Sequence, residues 1–243
     1  MVERPLIGNV AIVTGGSSGI GAACVRALVT AGMKVVVGAR GQDHLAILEE
    51  EWGEQVAIAV RTDVRSPSDL DRLVSKATTT FGRLDALVAS AGVGAYGDVL
   101  DYADDTIATM LDTNVGGTVW AVRAAVPALL ASGRGGDIII VVSTAGINGG
   151  RHEAVYAATQ SAQLGLARAL SQELAPMGIR VTALCSSGGR AVPDTDASGR
   201  ARMPLSTTTS EADDVASAVL TVLRQPRRIR TELWTMWSMS ETG

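Results

Sequence analysis

Short, almost continuous apolar runs alternate with longer stretches of helical periodicity along the chain. The apolar runs predict strands near residues 9–14, 35–37, 56–60, 84–89, 138–142, 179–184 and 231–237. Helical patterns lie between them, at about 22–31, 42–52, 66–77, 103–132, 154–175 and 211–223. Continuous apolar strands are typical of a parallel sheet that is covered on both faces. The pattern therefore predicts an α/β fold with a doubly wound parallel sheet of about seven strands and helices on both faces.

The length of the chain, 243 residues, suits one large α/β domain with a full core. Because no internal repeat or linker interrupts the pattern, we predict a single domain over residues 1–243. The alternation breaks at 186–209, which is rich in Ser, Thr, Gly, Asp and Pro. A loop of this length inside a compact domain is commonly functional, and we expect it to form a substrate lid.

Charge and composition exclude several classes of function. The net charge of −4 provides no basic field for nucleic acid or an anionic membrane. No apolar run is long enough to span a bilayer, and the N-terminus lacks the apolar core of a signal peptide. Cys24 and Cys185 stand alone, and the chain has only two histidines, so no metal site is expected. We therefore expect a cytoplasmic protein without nucleic-acid or membrane partners.

One glycine-rich turn, Thr14-Gly15-Gly16-Ser17-Ser18-Gly19-Ile20-Gly21, connects the first strand to the first helix. In this context Gly15 allows a sharp turn, Gly19 lets a pyrophosphate approach the backbone, and Gly21 allows close packing of helix on strand. The N-terminus of the helix offers free N–H groups and a partial positive charge to phosphates. The alternative is a glycine-rich turn without a ligand, which the position between strand and helix makes less favourable.

In a doubly wound sheet, ligands bind beyond the carboxyl ends of the strands. That rule selects Gly15, Arg40, Asp63, residues 90–92 and Ser143, together with the segment after residue 184. Ala39 occupies the position where an NAD site usually carries an acid, and Arg40 follows it. Because an arginine would bind a 2′-phosphate, the sequence favours NADP(H) over NAD(H). The alternative is an exposed arginine in a turn.

Two further side chains suggest chemistry near the fifth strand. Ser143 ends that strand, and Tyr156 lies in the next helix, with Gln160 one turn later on the same face. Taken singly, a serine at a strand end is commonly a cap, and a helical tyrosine is commonly part of the core.

Together these residues resemble the short-chain dehydrogenase/reductase family, over about residues 6–238. The resemblance implies a Rossmann-like fold, a nicotinamide cofactor and a tyrosine-dependent carbonyl/alcohol reaction in which serine orients the carbonyl and tyrosine passes the proton. It implies that Asn114 is the family's structural and proton-relay asparagine. The implied catalytic residues are Ser143, Tyr156, Asn114 and Gln160. The implied cofactor-binding residues are Gly15, Ser17, Ser18, Gly19, Ile20, Gly21, Arg40, Asp63, Val64, Ser90, Ala91, Gly92, Tyr156, Gln160, Ser187 and Gly189.

The sequence departs from the family pattern at the nicotinamide end. Gln160 stands where the family has a lysine that lowers the pKa of the tyrosine, Ser90 replaces an asparagine, and Ser186-Ser187 replaces Pro-Gly. Without the lysine we expect the pKa of Tyr156 to lie near the reference value of about 10. Reduction uses the protonated tyrosine, so it is the direction that survives. Gln160→Lys should then favour oxidation, unless it abolishes activity and so reveals a separate role for Gln160.

Two functions remain open from the sequence. The first is an NADPH-dependent reductase of a ketone or quinone-like compound, with an altered active site. The second is a non-catalytic family member that binds a dinucleotide or supports an active partner subunit. The resemblance also implies a homotetramer or dimer built on the helices that flank the fifth strand, and a hetero-oligomer with an active homologue would suit the second function.

Other residues leave alternatives open. Tyr96, Trp234 and Trp237 are candidates for lining a substrate pocket, although packing in the core or at an interface is the commoner use of such aromatics. Arg227, Arg228 and Arg230 either receive an acidic carrier protein or form a solvated surface cluster, and the sequence favours the cluster.

Overall fold

A computed structural model describes residues 3–41, 52–53, 55–187 and 209–239. Its seven strands form one sheet. They are β1 (Val10–Thr14), β2 (Lys34–Ala39), β3 (Ala57–Arg61), β4 (Ala86–Ala89), β5 (Gly136–Ser143), β6 (Ile179–Ser186) and β7 (Leu233–Met236). The order across the sheet is β3-β2-β1-β4-β5-β6-β7, and every pair is parallel. The prediction of a doubly wound parallel sheet of about seven strands is confirmed.

Helices connect the strands on both faces of the sheet. They are α1 (Gly19–Thr30), α2 (Pro67–Phe81), α3 (Asp104–Met110), α4 (Gly117–Ala131), α5 (Ala145–Asn148), α6 (Ala154–Leu174) and α7 (Thr209–Arg224). A 3₁₀ turn, Ala175–Met177, follows α6. The predicted helix at 42–52 lies outside the described residues except for Trp52, and the predicted lid lies almost wholly outside them. The prediction of a single domain stays a prediction.

The helical region predicted at 103–132 contains an irregularity that periodicity did not reveal. A π-helical segment, Leu111–Gly116, separates α3 from α4. The short helix α5 was also not predicted. By contrast, the start of α2 follows its sequence signal, because Ser66 is the N-cap and accepts a hydrogen bond from the Asp69 N–H, with Pro67 at the first helical position.

Alternating strand residues bury their side chains in two apolar layers. Ala11 and Val13 face a core that includes α1 and α7, whereas Val10 and Ile12 face a core that includes α2, α4 and α6. The sheet is thus covered on both faces, which explains the continuous apolar strands. Among the described residues, no helix is both long and apolar enough to cross a membrane.

Candidate active site

The glycine turn after β1 is closed by contacts that exclude any side chain. Gly15 has a φ of 70°, and a Cβ atom there would lie 2.7 Å from the Ala91 Cα. A Cβ atom on Gly21 would lie 2.2 Å from the Gly15 carbonyl oxygen. Residue 21 therefore has to be glycine because the first turn of the helix contacts the glycine turn. The sequence pattern predicts instead that Gly21 allows the helix to pack closely on the strand.

The first turn of α1 is open to an anion. Ser18, the N-cap residue, is exposed and makes no side-chain cap hydrogen bond within the described part of the chain. Gly19 is exposed with a φ of 49°, Ser17 is half-buried, and the partly buried Ile20 packs against the core. The first N–H groups of a helix lack intrahelical acceptors, so this bare, narrow turn fits the phosphates of a dinucleotide.

The end of β4 is tied to the glycine turn. Ser90 donates its hydroxyl to the Thr14 carbonyl at 2.6 Å, and the Ala91 N–H donates to the Thr14 hydroxyl at 3.4 Å. Gly92 lies beside Asn114, since a Cβ atom there would be 3.5 Å from the Asn114 Oδ1 atom. Ser90, which replaces the family asparagine, thus joins the ends of two strands under the expected cofactor site.

Beyond the ends of β2 and β3, two arginines lie near the carboxylate of Asp63, a predicted cofactor-binding residue. Arg40 is exposed just beyond β2. Arg65 donates from both Nε and Nη2 to the Asp63 carboxylate, with its Nη2 atom 2.6 Å from Oδ2. The Arg65 guanidinium, helped by Arg40, holds the pKa of the Asp63 carboxyl below its ordinary value. Sequence reasoning selected Asp63 and Arg40 but missed Arg65, whose signal was only its position two residues after Asp63.

The π-helical segment places Asn114 at the centre of a structural clamp. Its side chain is fully buried; Oδ1 accepts from the Val93 N–H at 2.8 Å, and Nδ2 donates to the Val93 carbonyl and the Thr159 hydroxyl. The Asn114 carbonyl accepts from the Thr118 hydroxyl at 2.6 Å. These bonds join the loop after β4 to α6. The structural part of the implied role has a direct counterpart here, and the proton-relay part stays a prediction.

Val64, the predicted partner of Asp63 beside the adenine, is buried and packs against the start of α4. A Cβ atom on Gly117 would lie 2.6 Å from a methyl group of Val64. Sequence reasoning missed this requirement for Gly117, because a glycine inside a helical pattern does not reveal what it touches.

Ser143, Tyr156 and Gln160 converge where β5 ends. The Ser143 side chain lies near enough to Tyr156 to lower the pKa of the tyrosine, and its Oγ atom accepts from the Ala145 N–H at 3.1 Å. Burial raises the pKa of Tyr156 above its ordinary value, the Ser143 side chain lowers it, and the Glu153 charge raises it further. The sequence predicts a pKa near the reference value of about 10. Burial and Glu153 place the pKa of Tyr156 higher, and no motif in the sequence indicates either effect.

Gln160 is buried, and its Oε1 atom accepts from the Ser143 N–H at 2.7 Å. The role of Gln160 in binding the cofactor stays a prediction. Its Oε1 atom does not serve that role, because it already accepts from the Ser143 N–H. Arg151 and His152 stand just before α6 and are the candidate cations for replacing the charge of the missing lysine. Arg151 is exposed, and His152 lies 2.7 Å from the Asp98 carboxylate, so Glu153 is the charged neighbour that acts on Tyr156.

The segment after β6 is held by the C-terminal strand. The Ser187 N–H donates to the Met236 carbonyl at 3.0 Å, and the Ser187 hydroxyl accepts from the Ser238 N–H at 2.7 Å. The Ser187 hydroxyl therefore already has a main-chain partner. Gly189, the other predicted residue of this segment, lies outside the described residues.

The aromatic candidates divide between the site and the core. Tyr96 packs against Tyr156, with ring centroids 5.6 Å apart and ring planes at 53°. A Cβ atom on Gly94 would lie 3.3 Å from the Tyr156 ring. Trp234 packs against the core that includes α1 and α7, and Trp237 is half-exposed near the C-terminus. Of the three, Tyr96 is the one that contacts the candidate site.

A family model described as short chain dehydrogenase matches residues 9–198 of this chain. The chain belongs to the short-chain dehydrogenase family. An uncharacterized oxidoreductase of Staphylococcus haemolyticus (strain JCSC1435) is 34% identical to this short-chain dehydrogenase over 227 residues, which cover 92% of this chain and 94% of the relative. One from Staphylococcus aureus (strain MRSA252) is 33% identical over 224 residues, with the same coverage.

Solved structures agree with the assignment of this short-chain dehydrogenase. A metagenomic short-chain oxidoreductase in complex with NADP has a TM-score of 0.81 at 26% identity, covering 98% of this chain and all of that one. A 3-ketoacyl-(acyl-carrier-protein) reductase from Brucella melitensis complexed with NADH also scores 0.81 at 26% identity, covering 96% and 97%. Serine dehydrogenase from Escherichia coli scores 0.83 at 24% identity, covering 96% and 100%, and shows the fold.

The arginine cluster of this short-chain dehydrogenase lies at the opposite edge of the sheet, around a cavity of about 530 Å³. Arg180 donates to the Asp137 carboxylate and to four main-chain carbonyls, and Arg227 donates to Asp137 and to the Gly136 carbonyl. Arg230 donates to the Ser171 carbonyl and pairs with Glu232. These arginines hold the ends of helices and strands together, which favours a structural role over the docking of a carrier protein.

Proposed function

We propose that the protein is an NADPH-dependent reductase of a carbonyl compound, a ketone or a quinone-like molecule. The observation that carries the proposal is Tyr156, which lies near Ser143 and whose pKa is raised above its ordinary value by burial. A tyrosine that stays protonated at neutral pH can donate a proton to a developing alkoxide, but it is a poor base for oxidising an alcohol. When bound, the dinucleotide supplies the hydride.

The division of labour within the site follows from its contacts. The Ser143 Oγ atom is fixed by the Ala145 N–H, which leaves the hydroxyl proton to polarise a carbonyl beside Tyr156. Tyr96 and Gly94 lie against the Tyr156 ring, so the candidate site has an aromatic surface on this side. An aromatic surface suits a flat, weakly polar carbonyl compound rather than a charged one.

The experiment is NADPH oxidation, followed by nicotinamide absorbance, with a panel of ketones, quinones and aldehydes at pH 7. We expect turnover with at least one ketone or quinone, and slower oxidation of the corresponding alcohol by NADP⁺. Saturable NADPH binding without turnover of any compound would instead favour a non-catalytic homologue. The observation behind that alternative is the uncharged Gln160, whose amide oxygen serves Ser143.

We propose NADP(H) as the preferred cofactor because Arg40 is exposed beyond β2 and no acid precedes it. Arg40→Ala should weaken NADPH binding roughly tenfold or more, the value of a charge-assisted hydrogen bond, and leave NADH binding within about twofold. Fluorescence titration with both cofactors measures this. Arg134→Ala is the matched control, since it removes an exposed arginine at the opposite edge of the sheet. Equal weakening for NADPH and NADH would contradict this role of Arg40.

We propose that the chain forms a homodimer or homotetramer through α4 and α6. Small residues of α6 lie exposed in a row, and a Cβ atom on Gly165 would contact nothing within 4 Å. The exposed members of this row are Ala154, Ala158, Ala162 and Gly165. Light scattering should give about two or four times the chain mass of 25.0 kDa. A monomer at micromolar concentration would contradict this assembly.

We also propose a cytoplasmic location, consistent with the free, buried Cys24 and Cys185.

A further inference from the structure

The side-chain amide of Gln160 has one defined orientation toward the main chain of β5. It lies on α6 one turn after Tyr156, its side chain is only 4% exposed, and its Oε1 atom is 2.7 Å from the Ser143 nitrogen. A backbone N–H can only donate, so the amide oxygen, and not the amide nitrogen, must face Ser143. A lysine ammonium carries no acceptor and could not make this bond.

Ser143 needs this acceptor because the neighbouring strand has already ended. Ala89, the last residue of β4, pairs with Ile140, three residues before Ser143. On β5, the Asp137 N–H donates toward β4, to the Asp85 carbonyl, and every second N–H points the same way. The Thr144 N–H donates toward β6, to the Ser186 carbonyl. The Ser143 N–H therefore points beyond the end of β4, where Gln160 supplies the missing acceptor.

Ser143 in turn acts on Tyr156, since its side chain lowers the pKa of the tyrosine. Its backbone is held by Gln160 and its Oγ atom by the Ala145 N–H, so both ends of the residue are fixed. Two other titratable groups bear on Tyr156: Glu153, the N-cap residue of α6, which opposes its ionisation, and Tyr96 from the loop after β4. Among the described residues, Ser143 is thus the group whose contact favours the tyrosinate.

We propose that Gln160 is a positioning residue: its amide oxygen holds the Ser143 main chain so that the Ser143 hydroxyl stays against the Tyr156 hydroxyl. The inference rests on the proposed function for its kinetic consequence, but the positioning itself is a property of the chain. It also changes the expected effect of restoring the family lysine. Gln160→Lys removes the acceptor for Ser143 and should lower the rate of reduction instead of improving the enzyme.

Two further substitutions of Gln160 separate positioning from cofactor binding. Gln160→Met keeps the size of the side chain and removes the acceptor, so kcat for reduction should fall roughly 10- to 100-fold, as for a small misplacement of a reacting group. The dissociation constant for NADPH should change less than about threefold, which is below the value of one hydrogen bond. Gln160→Glu keeps an accepting oxygen whether or not its carboxyl group is protonated. This variant should therefore retain most of the wild-type kcat for reduction at pH 6.

A second readout does not depend on turnover. The chain has three tyrosines, so the difference in ultraviolet absorbance between the protein and its Tyr156→Phe variant isolates the ionisation of Tyr156. In Gln160→Met this step should move about one pH unit higher, because the Ser143 hydroxyl no longer supports the tyrosinate. In a Ser143→Ala background the same substitution should move the step no further, since Gln160 acts through Ser143.

The outcomes are distinct. Weaker NADPH binding with an unchanged Tyr156 ionisation would overturn the proposal and make Gln160 a cofactor ligand. A shift of equal size in the Ser143→Ala background would also overturn it. If Gln160→Met does not fold, Gln160→Lys decides: slower reduction supports positioning, and faster reduction contradicts it. If the wild type reduces no carbonyl compound, the proposed function fails while the ionisation of Tyr156 still tests the positioning.

Discussion

Tyr156→Phe should reduce the rate of carbonyl reduction by about 10²–10⁴-fold, which is the usual contribution of a general acid. The substitution removes only the hydroxyl, whose pKa responds to Ser143, and the ring that packs against Tyr96 remains. NADPH binding should weaken by no more than about fivefold, the value of one neutral hydrogen bond. Steady-state kinetics at pH 7 and a fluorescence titration on the same preparation measure both quantities.

Tyr102→Phe is the matched control for this result. Its hydroxyl donates to the Ala95 and His152 carbonyls and so holds two loops together. Its loss should lower the free energy of unfolding by about 1–3 kcal/mol, because a buried carbonyl loses its donor, with no comparable loss of kcat. If Tyr156→Phe retained wild-type turnover, Tyr156 would not be the acid. If both variants lost activity alike, the effect would be structural.

Gly21→Ala should abolish measurable NADPH binding, which we expect to appear as a loss of at least about 100-fold in affinity. The new methyl group would lie 2.2 Å from the Gly15 carbonyl oxygen and 2.8 Å from the Ser90 hydroxyl, so the phosphate turn must open. The accompanying loss in the free energy of unfolding should be about 1–3 kcal/mol, as for other overpacked sites.

Gly19→Val should also lose binding, since it places a branched side chain where the pyrophosphate would approach.

Gly116→Ala controls for the chemical change, because this glycine has helical backbone angles and a Cβ atom there would meet only the Trp120 Nε1 atom at 3.7 Å and the Leu111 carbonyl oxygen at 3.9 Å, which are ordinary contact distances. It should bind NADPH like the wild type and be more stable by about 0.5–1 kcal/mol, since alanine is the better helix former. Undiminished NADPH binding by Gly21→Ala would show that the turn after β1 does not hold the phosphates.

The fold could be predicted because its signals are local. Continuous apolar runs indicated buried parallel strands, and the glycine turn indicated the junction of β1 and α1. Because ligands bind beyond the carboxyl ends of parallel strands, the sequence also predicts that Arg40, Asp63 and Ser143 lie at one edge of the sheet. The π-helical segment was not predicted because its residues continue the helical periodicity on either side. The irregular backbone there accompanies the buried Asn114, whose side chain contacts the loop after β4.

The details of the site depended on contacts that no spacing reveals. Gln160 reads in the sequence as a lost lysine, but the early end of β4 makes its oxygen the acceptor for Ser143. The pKa of Tyr156 depends on burial and on Glu153, neither of which a motif contains. Arg65 turns toward Asp63 because the chain bends soon after β3, so an ordinary surface arginine pairs with a predicted cofactor-binding residue.

The measurement that tests the account most directly is deuteride transfer from NADPH labelled at its reactive carbon to a ketone or quinone from the panel. We predict that the alcohol or hydroquinone forms in step with NADP⁺, and that an alcohol carries one deuterium on the former carbonyl carbon. The Tyr156→Phe variant should form labelled product at least about 100-fold more slowly. Saturable NADPH binding with no labelled alcohol from any ketone, or NADPH oxidation that leaves every carbonyl compound unchanged, would contradict the account.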